Sequence, residues 1–342
     1  MKEILFFYPE KHEQHALPNH PERPERVEVL RDALENAGLW GDETLVAPAQ
    51  VPDAVLHTIH TSGHTRRLQD ASHAGGVIDA DTYLTPSSWQ LALNAAGGGI
   101  AVAEKVYSRQ ARRGFALCRP PGHHATAFQA MGFCLLNNIA LAAEHLLQNM
   151  GAERVAILDI DLHHGNGTQD IFYARHDVFY CSTHQYPLYP MTGLANETGE
   201  AEGKGTTLNI PFPPYAGDNA RQAALERVIL PQIENYQPNM ILISVGFDAH
   251  WRDPLGHQLA TVGGYGRLIT QVADLADRIC GGRLAVFLEG GYDLEAGAAC
   301  GLALTQALIG QEWRDEIGPS PLPEDDFWES RLKQVTDIWQ TG

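Results

Sequence analysis

The chain has 342 residues, 44% apolar and 19% charged, which is ample for a hydrophobic core that needs no disulfide or metal staple. Its 42 Asp+Glu against 24 Lys+Arg give a formal charge of −18; that argues against a nucleic-acid surface, which needs clustered Lys and Arg, and against docking on anionic lipid. Five scattered cysteines without a Cys-x-x-Cys pair, the lack of a signal-type N-terminus and the lack of a spanning apolar run point to a cytoplasmic protein with no membrane partner.

From the N-terminus, Ile4–Tyr8 reads as a strand and Pro24–Asn36 as a helix, with further helices at Thr61–Ala71 and Ser87–Tyr107. Phe115–Cys118 reads as a strand, Asn137–Asn149 as a helix, and Val155–Ile160, Val178–Ser182 and Thr207–Ile210 as strands. Asn219–Ile233, Tyr265–Ile279 and Leu294–Ile309 read as helices that alternate with strands Met240–Val245 and Leu284–Leu288. Several strands are apolar throughout rather than alternating, as in strands buried on both faces. The βα alternation therefore predicts an α/β fold with a mainly parallel sheet flanked by helices. Right-handed crossovers put all strand carboxyl ends on one edge, where such sheets hold ligands. No composition shift marks a boundary, so one domain is expected over 1–342, with its core at about 4–310 and a helical tail at about 319–342. The stretch from His184 to Asp218 is rich in Pro, Gly, Thr and Tyr and reads as a functional loop.

Four polar clusters follow predicted strands. In Asp159-Ile160-Asp161-Leu162-His163-His164-Gly165-Asn166-Gly167, residues 159, 161 and 163 share one face of an extended segment. Two carboxylates buried together need compensation, and a divalent cation supplies it most simply. Asp248, in Gly246-Phe247-Asp248, adds a third ligand after the next apolar strand. Asp161, His163 and Asp248 leave a coordination position open, the pattern of a catalytic rather than a structural zinc-type site. Arg119-Pro120-Pro121-Gly122-His123-His124 offers two imidazoles for acid–base work. Glu289-Gly290-Gly291-Tyr292 offers a tyrosine hydroxyl to a developing oxyanion. One mechanism unites them: metal-assisted hydrolysis of an amide, with no covalent intermediate.

These motifs, with His20-Pro21-Glu22-Arg23-Pro24 and Gly132-Phe133-Cys134-Leu135-Leu136-Asn137-Asn138, resemble the histone deacetylase superfamily over nearly the whole chain. That superfamily includes acetylpolyamine amidohydrolases and acetoin-utilisation proteins. The resemblance implies one arginase-like domain around an eight-stranded parallel sheet. It implies zinc on Asp161, His163 and Asp248, with iron(II) compatible with the same donors. It makes His123 and His124 the tandem catalytic histidines, Asp159 the partner of the first and Asn166 of the second. Asn rather than Asp at 166 is similar to the class II branch. It makes Tyr292 the oxyanion donor and Phe133 and Tyr189 the tunnel walls, flanked by Gly132 and Gly291, with Asp81 at the rim. It also implies a structural potassium ion at Asp159, Asp161, His163, Ser182 and Thr183.

Substrate class rests on Arg252-Asp253-Pro254-Leu255-Gly256. Polyamine-selective relatives carry Glu where Leu255 stands, so acyl-lysine of proteins or peptides, most simply acetyl-lysine, is the expected substrate. An acetylpolyamine or other small amide is the nearest alternative. A non-catalytic acyl-lysine binder and a two-metal ureohydrolase are the readings from other classes. The sequence leaves the oligomeric state open.

Overall fold

In the computed structural model, which describes residues 1–340, the apolar runs become strands of one sheet. Strand β1 (Lys2–Phe7) is followed by helices α1 (Glu25–Asn36), α2 (Asp53–Ile59) and α3 (Ser62–Ala74). Strands β2 (Gly76–Val77) and β3 (Tyr83–Leu84) form a short antiparallel hairpin apart from that sheet. Then come α4 (Ser88–Tyr107), β4 (Ala111–Ala116), α5 (Asn138–Asn149), β5 (Val155–Asp159) and α6 (Asn166–Phe172). Strands β6 (Val178–Gln185) and β7 (Thr207–Phe212) precede α7 (Asp218–Ala224), which runs through a wider π-helical turn at Leu225–Ile229 into α8 (Leu230–Tyr236). The chain closes with β8 (Met240–Val245), α9 (Val262–Ile279), β9 (Leu284–Leu288), α10 (Leu294–Leu308) and α11 (Trp328–Gln340).

The main sheet has the order β1-β4-β9-β8-β5-β6-β7, with every pair parallel. Alternate residues of one strand serve two cores. Ile4 and Phe6 of β1, like Ile241 and Ile243 of β8, face a core shared with α1, α9 and α10. Leu5 and Phe7, like Met240 and Leu242, face a core shared with α4 and α5. The four polar clusters follow β4, β9, β8 and β5, which are neighbours in the middle of the sheet. Among the described residues no helix is long and apolar enough to cross a membrane.

The sheet has seven strands, not the expected eight. Outside β1 the chain makes one parallel bridge, Leu45 to Phe6, with the Val46 N–H donating to the Phe6 carbonyl at 2.9 Å. Gly41–Thr44 turns just before it and Pro48, with no N–H to donate, follows, so the pairing does not propagate. The stretch read as one loop from His184 to Asp218 is shorter in fact. Strand β6 reaches Gln185 and β7 spans Thr207–Phe212, leaving 186–206, with one 3-10 turn at Ala201–Gly203, and 213–217 outside the strands.

Three consecutive glycines, Gly97–Gly99, lie inside α4, where each costs about 1 kcal/mol of helix propensity relative to Ala. They let the helix sit directly on the sheet: a Cβ on Gly98 would stand 2.2 Å from the Phe7 ring, and one on Gly99 2.5 Å from the Phe287 ring. Gly98→Ala should therefore lower stability by about 1–3 kcal/mol through overpacking, measured by urea unfolding. The control is Gly297→Ala in α10, where nothing lies within 4 Å of the new Cβ; it should gain up to about 1 kcal/mol. A gain at both positions would contradict the packing account.

Candidate active site

The tip of β5 sets the frame. Beyond Asp159 the backbone N–H groups of alternate residues turn back on the preceding carboxylates. Asp161 N–H donates to Asp159 Oδ1 at 3.2 Å, and His163 N–H to Asp161 Oδ1 at 2.8 Å. The second Asp161 oxygen accepts Gly290 N–H at 2.8 Å, and Asp248 Oδ1 accepts Leu162 N–H at 3.0 Å. These bonds aim one oxygen of each carboxylate at His163. Its Nδ1 lies 3.2 Å from Asp161 Oδ1 and 3.1 Å from Asp248 Oδ2. Glycine is required alongside, since a Cβ on Gly246 would stand 1.9 Å from Asp161 Oδ2 and one on Gly290 2.2 Å from Asp248 Oδ2.

Asp161 and Asp248 are 0% and 1% exposed, so their charges meet almost no water. Burial opposes charge on His163, yet the two carboxylates outweigh it and raise the imidazole to about 10. Burial and the Asp161 charge push Asp248 upward, whereas His123 and His163 hold Asp161 low. The pair thus needs positive charge at one point. Ligands about a tetrahedral ion held at about 2.0–2.2 Å stand roughly 3.3–3.6 Å apart. The two separations from His163 are within a few tenths of an ångström of that, and all three donor atoms lie within 4.8 Å of one another, so the set fits a small divalent cation.

His123 and His124 leave the end of β4 with ring centroids 4.1 Å apart. His123 Nδ1 is 3.0 Å from Asp159 Oδ2, and His124 Nδ1 is 2.8 Å from Asn166 Oδ1. The neighbours separate their chemistry. Burial opposes charge on His123, but Asp159 and Asp161 outweigh it and raise the imidazole to about 10. His124 is driven well below the ordinary imidazole value by burial and by the neighbouring His123 and His163. One ring therefore favours the charged state and the other the neutral state.

Tyr292 follows β9. Its ring lies edge-on to Phe133 at 5.8 Å, and the Arg26 guanidinium covers it at 4.9 Å. Burial raises its hydroxyl well above the ordinary phenol value, which keeps it a donor. Tyr189, in the 186–206 segment, stands edge-on to His124 at 5.2 Å. Phe133 adopts φ 68° after Gly132 at φ 55°, a left-handed pair secured by Phe133 N–H donating to Thr82 Oγ1 at 3.1 Å. A Cβ on Gly132 would stand 2.5 Å from the His124 ring. Asp81 precedes Thr82 and its carbonyl lies 3.0 Å from His20 Nε2, while the His20 ring is 4.7 Å from Phe133. The hairpin thus brings Asp81 to the same mouth. Leu255 is tied in by Asp253, whose Oδ1 accepts Leu255 N–H at 3.0 Å and whose Oδ2 accepts Tyr292 N–H at 2.6 Å. Gly291, at φ 109°, packs against Phe247 behind Tyr292.

The remaining expected site is less tightly drawn. Asp159 and Ser182 are register partners on β5 and β6. The Thr183 hydroxyl is buried without a hydrogen-bond partner among the described residues, while Ser182 Oγ lies 2.9 Å from His184 Nδ1. The His163 imidazole is engaged by Asp161 and Asp248, which leaves its main-chain carbonyl as the group it could offer there.

Several supporting residues escaped the sequence reading. Glu22 is fully buried between Arg119, at 2.8 Å, and Arg26, at 3.2 Å. Burial would raise the Glu22 carboxyl, but the two arginines bring it down to about 2. Arg26 then donates to the carbonyls of Gly291, at 2.6 Å, and Glu289. Glu22 lies in the His20–Pro24 motif and Arg119 in the Arg119–His124 cluster, but the sequence assigns neither side chain a role. Asp253 is raised to about 7 by burial and by Asp248; it stands in the Arg252–Gly256 motif, where the sequence gives it no role of its own.

Residues 20–308 match the family model described as the histone deacetylase domain. A "Probable deacetylase" of Archaeoglobus fulgidus is 42% identical over 83% of this chain and 79% of its own length. The histone deacetylase-like amidohydrolase of Pseudomonas aeruginosa is 39% identical over 86% of this chain and 78% of its own. The crystal structure of the HDA15 HD domain superposes with a TM-score of 0.90 at 34% identity, covering 100% of this chain and 96% of that one. With its parallel sheet and a cluster of carboxylates and imidazoles at the sheet edge, the chain belongs to the histone deacetylase family and is a hydrolase of the deacetylase and amidohydrolase type.

Proposed function

We propose that the protein is a zinc-dependent deacylase of lysine side chains in proteins or peptides, with acetyl-lysine the simplest substrate. The observation that carries this reading is the convergence of Asp161, His163 and Asp248 beside the paired imidazoles and Tyr292. Those three residues would hold the ion; iron(II) suits the same donors. The chemistry zinc supplies when bound is Lewis acidity toward water and toward the acyl carbonyl.

The protein's own groups complete the reaction. His124, kept neutral and oriented through Nδ1 by Asn166, takes a proton from the attacking water and returns it to the departing lysine amine. His123, kept cationic by Asp159, stabilises the negative charge that develops. Tyr292 donates its hydroxyl to the oxyanion. Phe133 and Tyr189 flank the aliphatic stem and exclude water, and Gly132 and Gly291 let backbone come close. Asp81 accepts from the substrate main chain at the rim. A potassium ion held by Asp159, Ser182, Thr183 and the main chain of Asp161 and His163 would brace the β5 tip from behind.

Leu255, joined to the Tyr292 segment through Asp253, favours acyl-lysine over acetylpolyamine, since an apolar side chain offers nothing to a remote ammonium. The acidic surplus suits recruitment of basic peptides rather than nucleic acid. Five buried, unpaired cysteines suit the reducing cytoplasm.

Metal-replete protein should release acetate from an acetyl-lysine peptide, lose that activity to a chelator, and recover it with one zinc per chain. Tyr292→Phe should lower kcat by about 100- to 1000-fold. Activity that survives both treatments rules out this chemistry. Tight peptide binding without acetate release points to a binding protein, and two metals per chain to a ureohydrolase.

The specificity constant for the acetyl-lysine peptide should exceed that for N-acetylputrescine by at least about tenfold, and Leu255→Glu should narrow the gap. Each tenfold step corresponds to about 1.4 kcal/mol of differential transition-state binding. A wild-type preference for the polyamine would replace the lysine reading with the polyamine one.

A further inference from the structure

Glu289 directly follows β9 and is fully buried, yet no step above uses its side chain. Its Oε2 accepts the N–H groups of Gly122, at 2.7 Å, and His123, at 3.1 Å. Its Oε1 accepts the Ser244 hydroxyl from the end of β8 at 2.9 Å. The Glu289 main chain is also engaged, with its N–H donating to Val245 at 2.8 Å and its carbonyl accepting from Arg26. A buried carboxylate is an expensive way to fill space. An apolar side chain would fill the same volume without that cost, so the oxygen atoms need a reason.

The reason lies in the arm that carries the two histidines. Backbone pairing between β4 and β9 ends at Ala116 and Phe287. The arm then passes through Pro120 and Pro121, which have no N–H to donate. The first two donors beyond the prolines belong to Gly122 and His123, and both go to one oxygen of Glu289. Gly122 has no slack either, because a Cβ there would stand 2.5 Å from Asn138 N. Two residues past Glu289's glycine neighbour, the same strand end delivers Tyr292.

We propose that Glu289 is a positioning residue: its carboxylate continues the β4–β9 ladder through a side chain and so fixes His123 and His124 relative to Tyr292. This rests on the deacylase reading, in which the histidines and the tyrosine act on one substrate. Misplacing a catalytic group by about 1 Å costs about 100-fold in rate, whereas the tunnel walls Phe133 and Tyr189 sit on other segments and would still bind the stem.

The test compares zinc-loaded, full-length wild type with Glu289→Met, Glu289→Gln and Ser244→Ala. Methionine keeps the volume and removes the acceptor. Glutamine keeps one oxygen for the two N–H groups. For the acetyl-lysine peptide, Glu289→Met should lose about 100-fold in kcat, with KM changed less than about threefold and one zinc per chain retained. Glu289→Gln should recover to within about tenfold of wild type, and Ser244→Ala, which leaves the clamp on Gly122 and His123 intact, should stay within about threefold. An effect confined to thermal stability, with kcat unchanged in Glu289→Met, overturns the proposal, as does a glutamine variant no better than methionine. Should the methionine variant fail to fold, amide exchange in the wild type decides: the Gly122 and His123 N–H groups should be as protected as those of β9, and rapid exchange at both overturns the clamp. A wild type that hydrolyses no acyl amide defeats the deacylase reading along with this one, whereas an active wild type matched by Glu289→Met defeats this one alone.

Discussion

Two carboxylates, those of Asp161 and Asp248, are held together where water does not reach, and most of the surrounding architecture answers that constraint. Like charges in a low-dielectric site repel strongly unless something positive stands between them. The protein supplies part of the compensation with the N–H groups of His163, Gly290 and Leu162. It clears space with glycine at 246 and 290, where any Cβ would collide with the carboxylates. What remains is a cluster of negative charge beside the His163 imidazole, whose ring meets that of His124 edge-on at 5.9 Å.

The same problem recurs one layer back and is solved differently. Glu22 is buried, but two arginines flank it, and each arginine spends its remaining donors on main-chain carbonyls: Arg119 on His12 and His15, Arg26 on Glu289 and Gly291. A buried ion pair contributes little net stability. Its geometric effect is larger, since Arg119 opens the histidine arm and Arg26 grips the tyrosine arm. The loop before α1 is thereby joined to both sides of the reacting centre.

Much of this was legible in the sequence, and the reasons are specific. The strands are apolar throughout because both faces are covered, so each stood out as a run; what the run hides is which face each side chain takes, as with Ile4 and Leu5 in separate cores. Strand β4 runs Ala111–Ala116 rather than the expected Phe115–Cys118, because Arg112 and Arg113 hide its start and the apolar Leu117-Cys118 continues past its last ladder pair. Arg113 is nonetheless fully buried, its guanidinium satisfied by Leu308, Asp277 and Gly282. Helix α2, with 7 residues, is too short for periodicity to show. The spacing of Asp159, Asp161 and His163 was readable because it is local. Glu22, Asp253 and Glu289 were not, because their work lies in contacts between distant segments: Glu22 with Arg119 and Glu289 with Gly122.

The residues proposed to react come from the tips of four strands that are neighbours in the middle of the sheet, whereas those proposed as walls and rim come from elsewhere: Tyr189 from the connection between the outer strands β6 and β7 and Asp81 from the hairpin, with His20 beside it from the segment after edge strand β1. In that reading, chemistry and admission lie on separate pieces of chain. On the proposed reading, a change confined to those outer connections would alter which acylated guest is admitted without moving the strand tips that break the bond.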